Sequence, residues 1–168
     1  MRDPRLEYVG PLGAVACDSV RDLAGKLRNT GNQPGRFCYT GPDSGFNDLC
    51  KLGYLWGQVW PIVFIGEEIS DVTSPGKAPD WWGQLIRKGL YYGNHIYSIT
   101  QRPAECDKTV WGNASVIHTH LFRRAEDREY MARQLGCGVQ QIEALQQFDY
   151  LEQWIGETEL RAGKVVFS

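Results

Sequence analysis

Four consecutive apolar residues, Ile62-Val63-Phe64-Ile65, opened by Pro61 and followed at once by Gly66-Glu67-Glu68, constrain this chain more than any other segment. A short β-branched run of this kind predicts a strand covered on both faces of a parallel sheet. Gly66 then lets the backbone come close before the two acids. Ligands of open α/β sheets gather beyond the carboxyl ends of the strands, so Glu67 and Glu68 are delivered to a crevice where chemistry is expected. One acid could hold a magnesium ion through water while the next polarises an attacking water, the division of labour that nucleoside-triphosphate hydrolysis needs. Two acids leaving a strand into solvent would give the same pattern.

Strands and helices alternate around this run. Ser19, with Asp22 three residues on, predicts a helix N-cap, and Val20, Leu23, Ala24 and Leu27 recur at helical spacing until Gly31. Residues 6–9 form a short apolar stretch leading into a loop, residues 36–39 a short buried strand closed by Gly41-Pro42. A second helix runs from about Phe46 with Leu49, Cys50 and Tyr54 inward. Asp80 predicts the cap of a helix through Trp82, Leu85, Ile86 and Leu90, stopped by Gly93. Residues 95–100 and 115–122 follow as strands, 125–135 as a helix closed by Gly136, and 139–147 as a shorter helix with Ile142 and Leu145 inward. Residues 150–168 read as a hairpin turning near Ala162-Gly163. The alternation is that of βαβ units, which predicts an α/β fold with a mainly parallel β-sheet flanked by helices and a C-terminal hairpin. A length of 168 residues suits one domain, 1–168, with 2–135 as its core and 139–168 as a C-terminal helix and hairpin.

Composition narrows the function classes. With 42% hydrophobic and 23% charged residues the chain is ordinary for a globular protein. Its longest nearly unbroken apolar run, 61–65, falls far short of the roughly 18 residues that span a bilayer, so no transmembrane segment is expected. Met1-Arg2-Asp3-Pro4-Arg5 lacks the apolar core of a secretory signal. A formal charge of −2 excludes a globally basic nucleic-acid footprint. Five cysteines without a C-x-x-C pair argue against both a disulfide framework and a zinc site held by them, and read as small core fillers.

A second strand end, Ser98-Ile99-Thr100-Gln101-Arg102-Pro103, also delivers polar groups to the expected crevice. The Gln101 amide carries a donor and an acceptor, which suits it to sense a γ-phosphate or orient a water; a plain turn forced by Pro103 is the other reading. The succession of residues 61–72, Thr73-Ser-Pro-Gly-Lys-Ala-Pro79, Leu85-Ile-Arg-Lys-Gly89 and Ile99-Thr-Gln-Arg-Pro103 resembles the core of the FtsK/HerA class of P-loop ATPases. Within that class it is most similar to the genome-packaging ATPases of tailless, membrane-containing phages and their proviral relatives, over about residues 2–133.

The resemblance implies a RecA-like sheet with Glu67, in place of the usual Asp, near magnesium through water, Glu68 as general base and Gln101 as the sensor at the next strand end. It implies Arg102, from the shared Gln-Arg-Pro, and Arg87 as nucleotide-binding or trans-acting groups, with Lys88 a poorer stand-in that lacks the planar fork. It further implies ATP and Mg as cofactors, a homo-oligomeric ring, double-stranded DNA as partner, capsid or membrane-vertex proteins as further partners, and a place in the host cytoplasm or the virion. No nucleic-acid surface is assigned. The motif G-x-x-x-x-G-K-[ST], whose amides and Lys cradle phosphates, is absent: Gly25-Lys26, Gly76-Lys77 and Gly163-Lys164 all lack the earlier Gly and the following Ser or Thr. The N-terminal phosphate-loop unit is therefore expected to be missing and to lie upstream of Met1. Two readings follow: a packaging motor domain inactive alone, or a non-hydrolysing structural or assembly subunit retaining the ATPase fold.

Other residues invite smaller readings. His118 and His120 alternate on one strand and so share a face, compatible with two ligands of one metal or with a polar sheet face. Trp81-Trp82 could stack bases or anchor a helix start in the core. Arg123-Arg124 with Arg128 could meet phosphate or a neighbouring subunit, or form a solvated helix start paired with Glu126 and Asp127. Lys108 and Asn113 are plausible polar contacts in the loop after Gln101.

Overall fold

The computed structural model describes residues 8–167, so the readings placed on residues 1–7 and 168 lie outside the described residues. The first strand, β1 (Val15–Cys17), is followed by α1 (Val20–Thr30) and β2 (Phe37–Tyr39), which pairs with β1 in parallel. Ser19 caps α1 by accepting from the Asp22 amide at 3.1 Å, and Gly31 closes it at φ 61°, as the sequence predicts. β1 itself falls in the predicted loop; three residues are too few for periodicity to mark.

Next come α2 (Phe46–Gly57), β3 (Val63–Gly66), α3 (Asp80–Gly89) and β4 (His95–Ser98). β3 and β4 are parallel, with Gly66 opposite Ser98. Both helices lie on one side of this pair. A Cβ on Gly53 of α2 would stand 3.0 Å from the Phe64 ring, and one on Gly89 of α3 would stand 3.3 Å from Ile96. Phe64 is buried against Trp82, whereas Val63 and Tyr97, on the other side, remain 60% and 54% exposed. The expectation of cover on both faces is thus corrected: β3 alternates exposed and buried residues because α2 and α3 occupy the Phe64 side only.

Capping of α3 also differs from expectation. Asp80 begins the helix but pairs outward with Lys77 at 3.3 Å, and the cap position is Pro79. The orphan amide of Trp81 is met from α2, by Asn47 Oδ1 at 3.0 Å. Where β4 begins, buried Asn94 accepts from the Ile62 amide at 2.9 Å and so ties the entry of β3 to that of β4. Gly57 makes room for it, since a Cβ there would lie 2.4 Å from Asn94 Nδ2.

After β4 the chain crosses to a second layer, which has its own core from β5 onward. A short helix unmarked by apolar spacing, α4 (Lys108–Asn113), is capped by Asp107, which accepts from the Thr109 amide at 2.9 Å. Then come β5 (Val116–Thr119), α5 (Ala125–Leu135), α6 (Val139–Glu143), β6 (Asp149–Trp154) and β7 (Arg161–Lys164). β5, β6 and β7 form an antiparallel sheet, so among the described residues parallel pairing does not dominate. The reason is a separate apolar cluster: Met131, Ala132, Leu135, Ile142, Leu145 and Leu151 pack together and hold β5 against β6. The β6–β7 hairpin turns over residues 155–160, with Gly156 at φ 84°, and not at Ala162-Gly163. Gly163 lies in β7 because the ring of its partner Tyr150 covers it; a Cβ there would sit 2.4 Å from the tyrosine oxygen.

The four buried cysteines, Cys17, Cys38, Cys50 and Cys106, and half-buried Cys137 are all free thiols, in keeping with core filling. No helix among the described residues is long and apolar enough to cross a membrane.

Candidate active site

The parallel register of β3 and β4 brings the two predicted strand ends together. Gly66 is opposite Ser98, the Ile99 amide donates to Gly66 O at 2.8 Å, and the Ile69 amide donates to Ile99 O at 3.0 Å. Gly66 is required by close approach, because a Cβ there would lie 2.5 Å from Ile69 Cδ1, with the Trp82 ring beyond it at 3.7 Å. Immediately after, Glu68 takes a left-handed backbone conformation, φ 47° and ψ 56°. That conformation is uncommon for a residue with a Cβ and costs of order 1–3 kcal/mol, which the surrounding contacts must offset.

Gln101 supplies two of those contacts. Its side-chain Nε2 donates to Glu68 Oε1 at 2.8 Å, and its backbone amide donates to Glu68 Oε2 at 3.4 Å. Glu67 is turned to a different partner, accepting from the Tyr8 hydroxyl at 2.5 Å. Both acids are half-buried and hydrogen-bonded, while Gln101 is exposed. Around them Thr100 Oγ1 donates to Ser70 Oγ at 3.2 Å and accepts from the Arg102 amide at 2.9 Å. The Tyr8 contact could not be read from the sequence, because it spans 59 residues.

The two arginines named with this site are engaged with other groups. Arg102 pairs with Glu105 at 3.5 Å; Glu105 also takes Arg124, and these guanidiniums, Arg124 first, hold its carboxyl below the usual range. Arg87 is exposed on α3, its guanidinium lying over Gly83, where a Cβ would be 2.9 Å away; Lys88 beside it is also exposed. The three Gly-Lys lysines are each engaged with a carboxylate: Lys26 with Asp22, Lys77 with Asp80 and Lys164 with Asp149.

The remaining candidates divide. Trp82 is fully buried, with its indole N–H donating to Asp107 at 3.0 Å, and Trp81 is half-buried with Lys51 over its ring, so the pair anchors α3 in the core. Arg124 reaches Glu126 and Glu105, and Arg128 reaches Glu143 and the carbonyls of Phe122 and Arg123, which makes this cluster an ion-paired helix start. Asp127, expected as a partner of these arginines, is buried and accepts instead from the Ala104 amide at 3.2 Å. Lys108 is exposed at the start of α4, and Asn113 caps back onto Thr109 O. An open cleft of about 450 Å³, lined by His120, Phe122, Arg123, Gln146 and Phe148 among others, lies on the second layer and includes none of the acidic cluster.

The described architecture resembles the fold of a viral genome-packaging NTPase. It superposes on the genome packaging NTPase B204 from Sulfolobus turreted icosahedral virus 2, in complex with AMPPCP and with ATP-gammaS, at a TM-score of 0.78 and 15% identity, covering 99% of this chain and 81% of that one. B204 of Sulfolobus Turreted Icosahedral Virus, described as the DNA-packaging ATPase, gives a TM-score of 0.68 at 12% identity over 96% of this chain and 88% of that one. In sequence the chain is 34% identical over 105 residues to Protein P9 of Pseudoalteromonas phage PM2, a match that spans 62% of this chain and about half, 48%, of that relative. No protein-family model matches.

Proposed function

We propose that this chain carries the hydrolysis centre of a viral genome-packaging ATPase of the FtsK/HerA class, built on a RecA-like core. The single observation that carries the reading is the Gln101–Glu68 pair, two side chains from the carboxyl ends of adjacent parallel strands, joined at 2.8 Å. The likeness in fold to a genome packaging NTPase in complex with AMPPCP and with ATP-gammaS supports it, as does the sequence similarity to a phage protein.

Each residue then has a task. Glu68 accepts the proton of the attacking water, held in place by the Gln101 amide group, whose carbonyl oxygen is suited to accept from the same water. The hard carboxylate oxygens of Glu67, half-buried beside Glu68, suit a magnesium ion held through water, and the Tyr8 hydroxyl orients that carboxylate. When bound, magnesium neutralises charge on the phosphates. The phosphate cradle does not fit the residues present, because the motif is absent and each Gly-Lys lysine already faces a carboxylate. Turnover therefore requires a phosphate-gripping segment additional to these 168 residues. Arg87 on the exposed side of α3 is the group to reach a neighbouring subunit's nucleotide in a homo-oligomeric ring, with Arg102 second. Double-stranded DNA is the substrate moved, capsid or membrane-vertex proteins are further partners, and the site of action is the host cytoplasm or the virion.

The absent phosphate motif favours one other reading, a non-hydrolysing structural or assembly subunit that keeps the fold. Magnesium-dependent ATP turnover by the protein expressed from its gene, compared with Glu68→Gln, separates the two. Turnover that Glu68→Gln removes supports the hydrolysis centre. Turnover that survives the substitution refutes it, and no nucleotide binding at all leaves the assembly subunit.

A further inference from the structure

Outside the acidic cluster, the exposed face of β5 and β6 holds a second arrangement of functional groups. His118 lies on β5 and His120 just past its carboxyl end, and each imidazole has one nitrogen fixed by an acceptor. His118 Nδ1 faces Glu152 Oε1 at 2.8 Å, from the residue directly opposite on β6, and His120 Nδ1 faces the carbonyl oxygen of Asp149 at 2.8 Å. A carboxylate at neutral pH and a backbone carbonyl only accept, so both Nδ1 atoms carry hydrogen. In the neutral rings both Nε2 atoms therefore carry lone pairs, and these two atoms face each other at 3.1 Å. Two lone pairs at that distance repel unless a cation, either a shared proton or a metal ion, lies between them.

A tetrahedral divalent ion about 2.05 Å from each nitrogen separates its two imidazole ligands by about 3.3 Å, close to the spacing found. The rings are also held as ligands need to be held. Tyr150 stacks on His118 with centroids 4.8 Å apart and planes 29° apart, and is itself seated over Gly163 of β7. Glu152 is fixed in turn by the Trp154 indole N–H at 3.0 Å. An acceptor behind each ligating imidazole is the outer-shell arrangement that sets tautomer and raises ligand basicity. The His118 side chain is 39% exposed, which gives an ion a route in and leaves room for water.

We propose that His118 and His120 form a two-histidine site for a borderline divalent transition metal of the zinc class, both binding through Nε2. Imidazole pairs select such ions over magnesium and calcium, which prefer oxygen. Among the described residues no group of three or more His, Cys, Asp or Glu converges as a metal site, so water fills the other positions and the ion exchanges readily. The site is independent of the hydrolysis reading and stands or falls separately.

The test is a calorimetric titration of the chelator-stripped, untagged chain with zinc chloride, with magnesium chloride as the comparison, beside long-range proton–nitrogen NMR of the imidazoles. The site predicts saturable uptake of one zinc per chain, no magnesium uptake that His118→Ala alters, and Nε2 resonances of both histidines moving on zinc addition. His118→Ala and His120→Ala should each abolish saturable uptake, Glu152→Gln should weaken it about 10-fold, and His95→Ala should leave it unchanged. All four positions are solvent-accessible, so circular dichroism confirms that the variants stay folded. Absence of saturable zinc uptake by the unaltered chain, or uptake that survives His118→Ala or is lost in His95→Ala, overturns the proposal.

Discussion

Replacing Trp82 by Phe tests how the candidate active site is supported from below. Trp82 is fully buried, lies against Phe46 and Phe64 with ring centroids 5.4 and 6.0 Å away, and underlies Gly66 at the end of β3. Its indole N–H donates to Asp107 Oδ2 at 3.0 Å, and Asp107 is itself fully buried. The substitution removes roughly 40 Å² of buried ring, worth about 1 kcal/mol. It also strips a donor from a buried carboxyl oxygen, costing about 1.5–3 kcal/mol more. The sum, about 2.5–4 kcal/mol, corresponds to a fall in Tm of about 5–15 °C for a chain of this size. Trp81→Phe is the internal control: its ring is half-buried with Lys51 5.3 Å from the centroid, a contact worth about 0.5–1 kcal/mol. Urea melts of the two variants supply both free energies. Equal effects at the two positions, or a loss below about 1 kcal/mol for Trp82→Phe, would refute the account of α3 as pinned beneath the acidic strand end.

Gly66→Ala should cost about 1–3 kcal/mol by overpacking against Ile69, read from the same melts, and the same substitution should cost less when made in an Ile69→Ala background. Arg124, ahead of Arg102, holds the Glu105 carboxyl below its ordinary range, so this pairing favours the fold above the unfolded carboxylate's pKa and is lost as pH falls through the folded one. Arg124→Gln should raise the Glu105 midpoint in an NMR pH titration, and an unmoved midpoint would contradict the pairing. Burial pushes the Cys106 thiol up to about 11, and Cys50 well above its ordinary value. Disulfide reagents at pH near 8 should therefore label half-buried Cys137 first and the four buried thiols only on unfolding.

Local signals were legible where their physics is local. The Ser19 cap, the glycines closing α1 and α5, and the apolar spacing of α2 each act within a turn or two of chain. Glu68 and Gln101 were legible as neighbours because parallel strands joined by one crossover carry their carboxyl ends side by side. What escaped depends on distant partners. Gly163 looks like a turn residue until Tyr150 is seen lying over it, and Asp80 looks like a cap until Asn47 is seen meeting the Trp81 amide. The antiparallel pairing of β5 follows from the second apolar cluster, and the one-sided cover of β3 from where α2 and α3 pack. Neither is written in the strands themselves.

The claim that Glu68 and Gln101 form one hydrolysis centre is tested most directly by a double-mutant cycle on ATP turnover, measured with magnesium and the phosphate-gripping segment present. Glu68→Gln and Gln101→Ala should each lower kcat by about 10²–10⁴-fold. Because the pair acts as a unit, the double variant should be no slower than the slower single one. Effects that multiply, or a Glu68→Gln enzyme as fast as the unaltered one, would contradict the account.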